Sequence, residues 1–87
     1  MYNTRLRIVF AQAARKHRIG RGRIRTAMAD AGEPVRIAAS NGKEADRLLY
    51  IGTDNRGVEL EVIAVEIGAD RLLVIHAMPV HYRRRPR

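Results

Sequence analysis

The stretch Leu48–Pro79, LLYIGTDNRGVELEVIAVEIGADRLLVIHAMP, most narrows what this chain can fold into: it holds most of the β-branched and aliphatic residues and is cut twice by turn signals. The first, Thr53-Asp54-Asn55-Arg56-Gly57, puts Asp, Asn and Gly where a hairpin needs permissive backbone angles. The second, Gly68-Ala69-Asp70, does so in fewer residues. Val58–Ile67 between them is long enough to cross a small sheet. Leu72–Ala77 is a nearly unbroken apolar run, as in a strand covered on both faces, and Pro79 removes a backbone donor and closes it. The stretch predicts a three-stranded antiparallel meander.

The remaining segments must cover that sheet. Leu6–Phe10 is a short β-prone run, an added edge strand. Ala11–His17 contains helix formers without a breaker and predicts a first helix, ended by Gly20 and Gly22. A second helix is predicted over Arg21–Ala31, with Ile24, Ala27, Met28 and Ala31 on one face and Arg18, Arg21 and Arg25 at matching intervals on another. Gly32 and Pro34 supply its stop. No acid stands four residues on from these arginines to pair with them. Val35–Ala39 is a further candidate strand and Ser40–Lys43 a turn. The expected fold is α+β over residues 1–87: a small antiparallel sheet of three to four strands, two N-terminal helices packed on one face, and a basic C-terminal tail at 80–87.

Charge sharpens this. The net +8 divides into nine Lys/Arg against two acids over residues 1–36, three against seven over 37–70, and five against none over 71–87. Basic ends attract a polyanion, and an acidic middle suits a basic partner or another copy of the chain. With 87 residues the core is close to the minimum for one domain. Cysteine is absent, which rules out a disulfide framework or thiolate metal site and permits a reducing compartment. No apolar run approaches a membrane span, and the first residues lack the apolar core of a signal peptide. The expectation is a soluble, cytoplasmic protein with no membrane partner.

Few residues carry chemistry. His17, at the end of the first predicted helix, suits a helix dipole as well as a ligand. His76 is expected to face the same side as Leu72 and Val74, where a satisfied core histidine is as reasonable as a reactive one. His81, Tyr82 and Arg83-Arg84-Arg85 bring an imidazole, a phenol and guanidinium groups together in the tail. Glu59 and Glu61 share one strand face, most simply its wet side. Scattered histidines without Cys or a ligand spacing give no metal site. Neither a Walker loop nor a G-x-S-x-G elbow is present, which excludes the familiar nucleotide-hydrolysing and serine-hydrolase classes.

The run RIVF, the sequence Lys16-His17-Arg18-Ile19-Gly20, the ending Ala31-Gly32-Glu33-Pro34-Val35 and the strands RGVELEVIAVE and LLVIHAMP, in that order, resemble the small BrnT-like toxins of the RelE/ParE-like superfamily of bacterial type II toxin–antitoxin modules. The similarity runs from about Arg7 to Arg83. It implies a RelE/BrnT-like α-β fold and a ribonuclease that needs neither metal nor cofactor, cuts RNA and is silenced by a cognate antitoxin protein. RNA cleavage of that kind needs a base for the ribose 2′-OH and a cation for the phosphate. His76, His81, Tyr82 and Arg83 are the candidates for catalysis, and Lys16, His17, Arg18, Arg21, Arg25, Arg84 and Arg85 for holding nucleic acid. Glu59, Glu61 and Glu66 are the candidates for docking an antitoxin or a second copy in a homodimer. Two alternatives stand beside this, a nucleic-acid-binding module without catalysis and a gyrase-targeting ParE-like toxin.

Overall fold

The computed structural model describes residues 7–15, 17–39 and 45–83. Its two longest strands, β4 (Glu59–Ile67) and β5 (Arg71–Pro79), pair antiparallel through the turn at Gly68, whose φ of 64° suits a residue without a Cβ. β3 (Arg47–Thr53) lies antiparallel on the other side of β4, so the Leu48–Pro79 meander forms the middle of the sheet. β2 (Val35–Ile37) extends it antiparallel beyond β3, and β1 (Arg7–Phe10) closes the opposite edge parallel to β5. The order is β1-β5-β4-β3-β2.

The expected three to four antiparallel strands beneath two N-terminal helices are corrected by this architecture. Among the described residues the protein is mostly sheet, with five strands and one parallel ladder. Its helices are the 11-residue α1 (Arg21–Ala31) and the four-residue α2 (Val80–Arg83), which begins the segment read as a tail. The first predicted helix is only a 3-10 turn over Gln12–Arg15. Helix propensity loses there for a geometric reason. The Ala11 N–H donates to the Val74 carbonyl at 2.9 Å, tying the segment to β5 where β1 ends, and Ala14 is buried. Between those anchors there is no length for an α-helical nucleus, whereas the tighter 3-10 form fits. Among the described residues no helix is long and apolar enough to cross a membrane.

α1 carries the chain from the β1 edge to the β2 edge across one face of the sheet. Its stripe Ile24, Ala27 and Met28 packs on Leu48, Tyr50, Leu60, Val62, Ala64, Leu72 and Val74, all buried. Each fully buried aliphatic side chain in that layer, Ile24 and Leu60 among them, contributes about 1.5–3 kcal/mol. The helix lies so close to β3 that a Cβ on Gly52 would fall against the backbone of Ala27 and Ala31. The other face, which α1 does not cover, is also apolar: Val9, Val35 and Ile51 are exposed there, and Leu49, Ile63, Val65 and Leu73 half-buried.

Asp54 locks α1 to the β3–β4 hairpin. One carboxylate oxygen accepts the N–H groups of Arg56 and Val58 at 2.8 and 2.9 Å, and the other accepts Arg23 Nε–H at 2.6 Å. Burial pushes this carboxyl upward, but the Val58 N–H, the Arg23 guanidinium and the Arg56 N–H together hold it below the ordinary aspartate range. A depressed native pKa means stability that is present at neutral pH and lost as pH falls through the native value. Asp54→Asn is therefore expected to lower Tm at pH 7, and the gap from the parent to close progressively as the melts are repeated toward pH 3. A gap that stays constant over that range would show that the charge of Asp54 does not stabilise the fold.

Candidate functional site

One irregularity in the ladder builds the site. Val74 pairs with Ala64 but His76 with Ile63, so β5 advances two residues where β4 advances one and Ile75 is the extra residue of a β-bulge. Ala64 and Ile63 point to opposite faces of β4, so Val74 and His76 do as well. The expectation that His76 faces the same side as Leu72 and Val74 is thus corrected. Val74 and Ala77 fill the core under α1, and His76 is turned out onto the face that carries Glu61.

Diagonal neighbours on that face meet. His76 Nε2 lies 3.0 Å from Glu61 Oε2, with the Glu61 residue only 3% exposed and the His76 side chain 31%. A carboxylate only accepts, so in this pair Nε2–H donates to Glu61, and in the neutral ring Nδ1 is then the accepting nitrogen. Two further rings extend the cluster. His17 stands edge-on to His76 with centroids 6.3 Å apart, and Tyr82 edge-on to His17 at 5.6 Å. His81 continues the series, edge-on to Tyr82 at 5.0 Å. Three remote pieces of chain thus converge: the end of the 3-10 turn, the bulged strand and α2.

Backbone strain sits at the same place. Arg18 adopts φ 58°, the only non-glycine residue with positive φ among the described residues, and its N–H donates to the Arg15 carbonyl at 3.0 Å. A left-handed L-residue costs about 1–2 kcal/mol. The kink lets consecutive residues diverge, with His17 at the ring cluster, Arg18 in solvent and Ile19 in the core.

Arg21 and Arg25 stand over the Phe10 ring at 5.5 and 5.6 Å from its centroid. Among the described residues Arg15, Arg18, Arg21 and Arg25 make no ion pair, whereas Arg23, Arg36 and Arg71 do. A larger cleft of about 860 Å³ at the other end of α1 is of mixed charge, with Glu33, Glu66 and Arg36 around Tyr50, and no histidine lines it. Arg83 is the last residue of α2, its side chain outside the described set, as are Lys16, Arg84 and Arg85.

The three acids assigned to partner docking are not brought together. Glu59 is exposed near the β3–β4 hairpin, Glu61 is buried against His76, and Glu66 lies on the face of α1, 3.4 Å from Arg36. Glu61 and His17, expected to dock a partner and to hold nucleic acid, both adjoin the His76 imidazole. Alternation along β4 would have placed Glu61 on the face opposite Leu60 and Val62, but nothing in LLVIHAMP announces the bulge that brings His76 to it. Among the described residues no group of three or more His, Asp or Glu side chains converges as metal ligands do.

No protein-family model, curated protein or solved structure matches this chain.

Proposed function

We propose that this chain is a cytoplasmic ribonuclease that cuts RNA through attack of a ribose 2′-OH on the adjacent phosphate without a metal ion, as the toxin of a toxin–antitoxin pair like the BrnT-like proteins its sequence resembles. The observation that carries the chemistry is the Glu61–His76 hydrogen bond at 3.0 Å, with His17 edge-on to that imidazole and Tyr82 edge-on to His17. Such a group has what this reaction asks for. His76 Nδ1 takes the 2′-hydroxyl proton while Glu61 fixes the ring and balances the charge it gains. The O2′–P bond forms and the P–O5′ bond breaks. The departing O5′ receives a proton from the imidazolium of His17, with Tyr82 steadying that ring. Arg18, beside His17, carries the cation for the phosphate oxygens.

The products are then a 2′,3′-cyclic phosphate and a 5′-hydroxyl end. The purified protein is expected to cut a single-stranded RNA in excess EDTA, to leave that cyclic end and to spare the all-deoxy strand of the same sequence, which lacks the nucleophile. An RNA left intact, or a deoxy strand cut equally well, would remove the reading. If intact RNA is nevertheless bound with steep salt dependence, the chain is a nucleic-acid-binding module instead. Co-expression with a neighbouring small protein that restores the growth of arrested cells tests the antitoxin part separately.

A further inference from the structure

A second feature lies on the other side of Arg18 from the imidazole cluster. Where β1, the 3-10 turn and the start of α1 meet, a cleft of about 360 Å³ has Phe10, Ile19 and Ile24 in its lining and Arg15, Arg18 and Arg21 beside them. Among the described residues no acid lines it. Most surface arginines lie over a carboxylate or in open solvent. These stand at an apolar depression with no ion pair among the described residues, and two cations, Arg21 and Arg25, already lie over its aromatic ring.

An apolar lining beside guanidinium groups is a chemical description of one unpaired nucleotide: a flat face to cover and a phosphate to neutralise. The volume lies at the small end of ligand-sized pockets. A base in a duplex has both faces stacked and its phosphate outside, and does not enter such a depression without being unstacked. We infer that this cleft binds one unstacked base of a single-stranded nucleic acid, with Arg15 and Arg21 on its flanking phosphates. Arg18 also lines the neighbouring cleft with Arg23 and Arg56, so it stands where the backbone leaves the pocket, one residue from His17. The inference rests on the ribonuclease reading for the fate of the strand and names its substrate as single-stranded, with a base anchored next to the cut.

Binding is read without cleavage on a fluorescent all-deoxy eight-mer, against an eight-mer of the same charge made of abasic sugar-phosphate units and against the duplex. Base stacking at one site is commonly a factor of ten or more. The abasic strand is therefore expected to bind the full chain about tenfold more weakly than the normal strand, and the duplex to compete poorly. Gly20→Leu plugs the cleft with little strain, because a Cβ at Gly20 meets nothing within 4 Å and its φ of −66° suits any residue. It should weaken the normal strand about tenfold and the abasic strand less than about twofold.

Arg15→Ala and Arg21→Ala should weaken both strands and each reduce the slope of log K against log salt by about 1. Arg47→Ala, an equal charge loss on the opposite face of the sheet, should change affinity less than about twofold. Equal binding of normal and abasic strands, or equal losses at Arg47 and Arg15, would overturn the cleft in favour of diffuse charge, whether or not Gly20→Leu folds. Base-dependent binding without RNA cleavage would retain the cleft and discard the nuclease; cleavage with base-independent binding would do the reverse.

Discussion

Replacing His76 by alanine is expected to lower the first-order rate of RNA cleavage in EDTA by about 10²–10⁴-fold, the range over which a positioned general acid or base acts. The ring is half-exposed, and its nearest polar partner is Glu61 at 3.0 Å, so its loss removes the accepting Nδ1 while leaving the core beneath α1 intact. Far-UV spectra should stay close to the parent's and the protein should remain folded at assay temperature, with a lowered Tm. A buried Glu61 without the imidazole does lose one hydrogen bond, which bounds the cost at about 1–3 kcal/mol. Glu61→Gln keeps the shape and removes the charge. As a positioning change it should act on the rate constant more than on KM and alter the pH–rate profile, which a merely structural glutamate would not do. Full activity in soluble, folded His76→Ala protein would leave the ring cluster without a chemical role.

Gly52→Ala is the substitution expected to damage the fold most. The added methyl would overlap the Ala27 carbonyl and lie 2.7 Å from the Ala31 nitrogen, both parts of the α1 backbone. A flexible side chain can rotate away from such a contact. A helix backbone cannot, so α1 must lift from β3 and lose part of the packing of Ile24, Ala27 and Met28. Overpacking of this kind costs about 3 kcal/mol or more, a large share of the ~5–15 kcal/mol that stabilises a small domain. At roughly 4–8 °C per kcal/mol for a chain of this size, Tm should fall by at least about 12 °C. Gly22→Ala is the matched comparison, since a Cβ there meets nothing within 4 Å and alanine suits a helix interior. It should raise stability slightly. Equal melting of the two variants would show that α1 does not lie against β3 at Gly52.

What the chain disclosed in advance was the part dictated by local chemistry. Thr53–Gly57 and Gly68–Asp70 turn where their Asp, Asn and Gly residues allow, and α1 occupies Arg21–Ala31 with its apolar stripe inward. The errors arose where distant contacts override local preference. Ala11–His17 has helix-forming residues, yet the Val74 carbonyl and the buried Ala14 restrict it to a 3-10 turn. Parallel pairing of β1 with β5 joins segments more than sixty residues apart, which no periodicity reports. The candidate site was half legible. His76, Tyr82 and the arginines were singled out as chemistry, but Glu61 looked like one wet face of a strand until its diagonal partner was known. Arg18 had no sequence mark for its positive φ, because nothing but a glycine usually advertises one.

The extra residue Ile75 makes the facing of His76 depend on counting. Alternation in a strand is a matter of odd and even, and one surplus position reverses the parity of every side chain that follows it. Upstream of it, even-numbered residues such as Leu72 and Val74 look inward; downstream, odd-numbered Ala77 and Pro79 do. Were Ile75 kept but the bulge ironed out into regular pairing, Ile75 would face Ile63, the imidazole would be driven under the helix opposite Val62, and the small alanine would turn outward. The bulge and the surplus residue thus go together: a chain of this plan with the bulge needs the extra position, and one without it reaches the same facing of the imidazole with one residue fewer between Leu72 and the histidine.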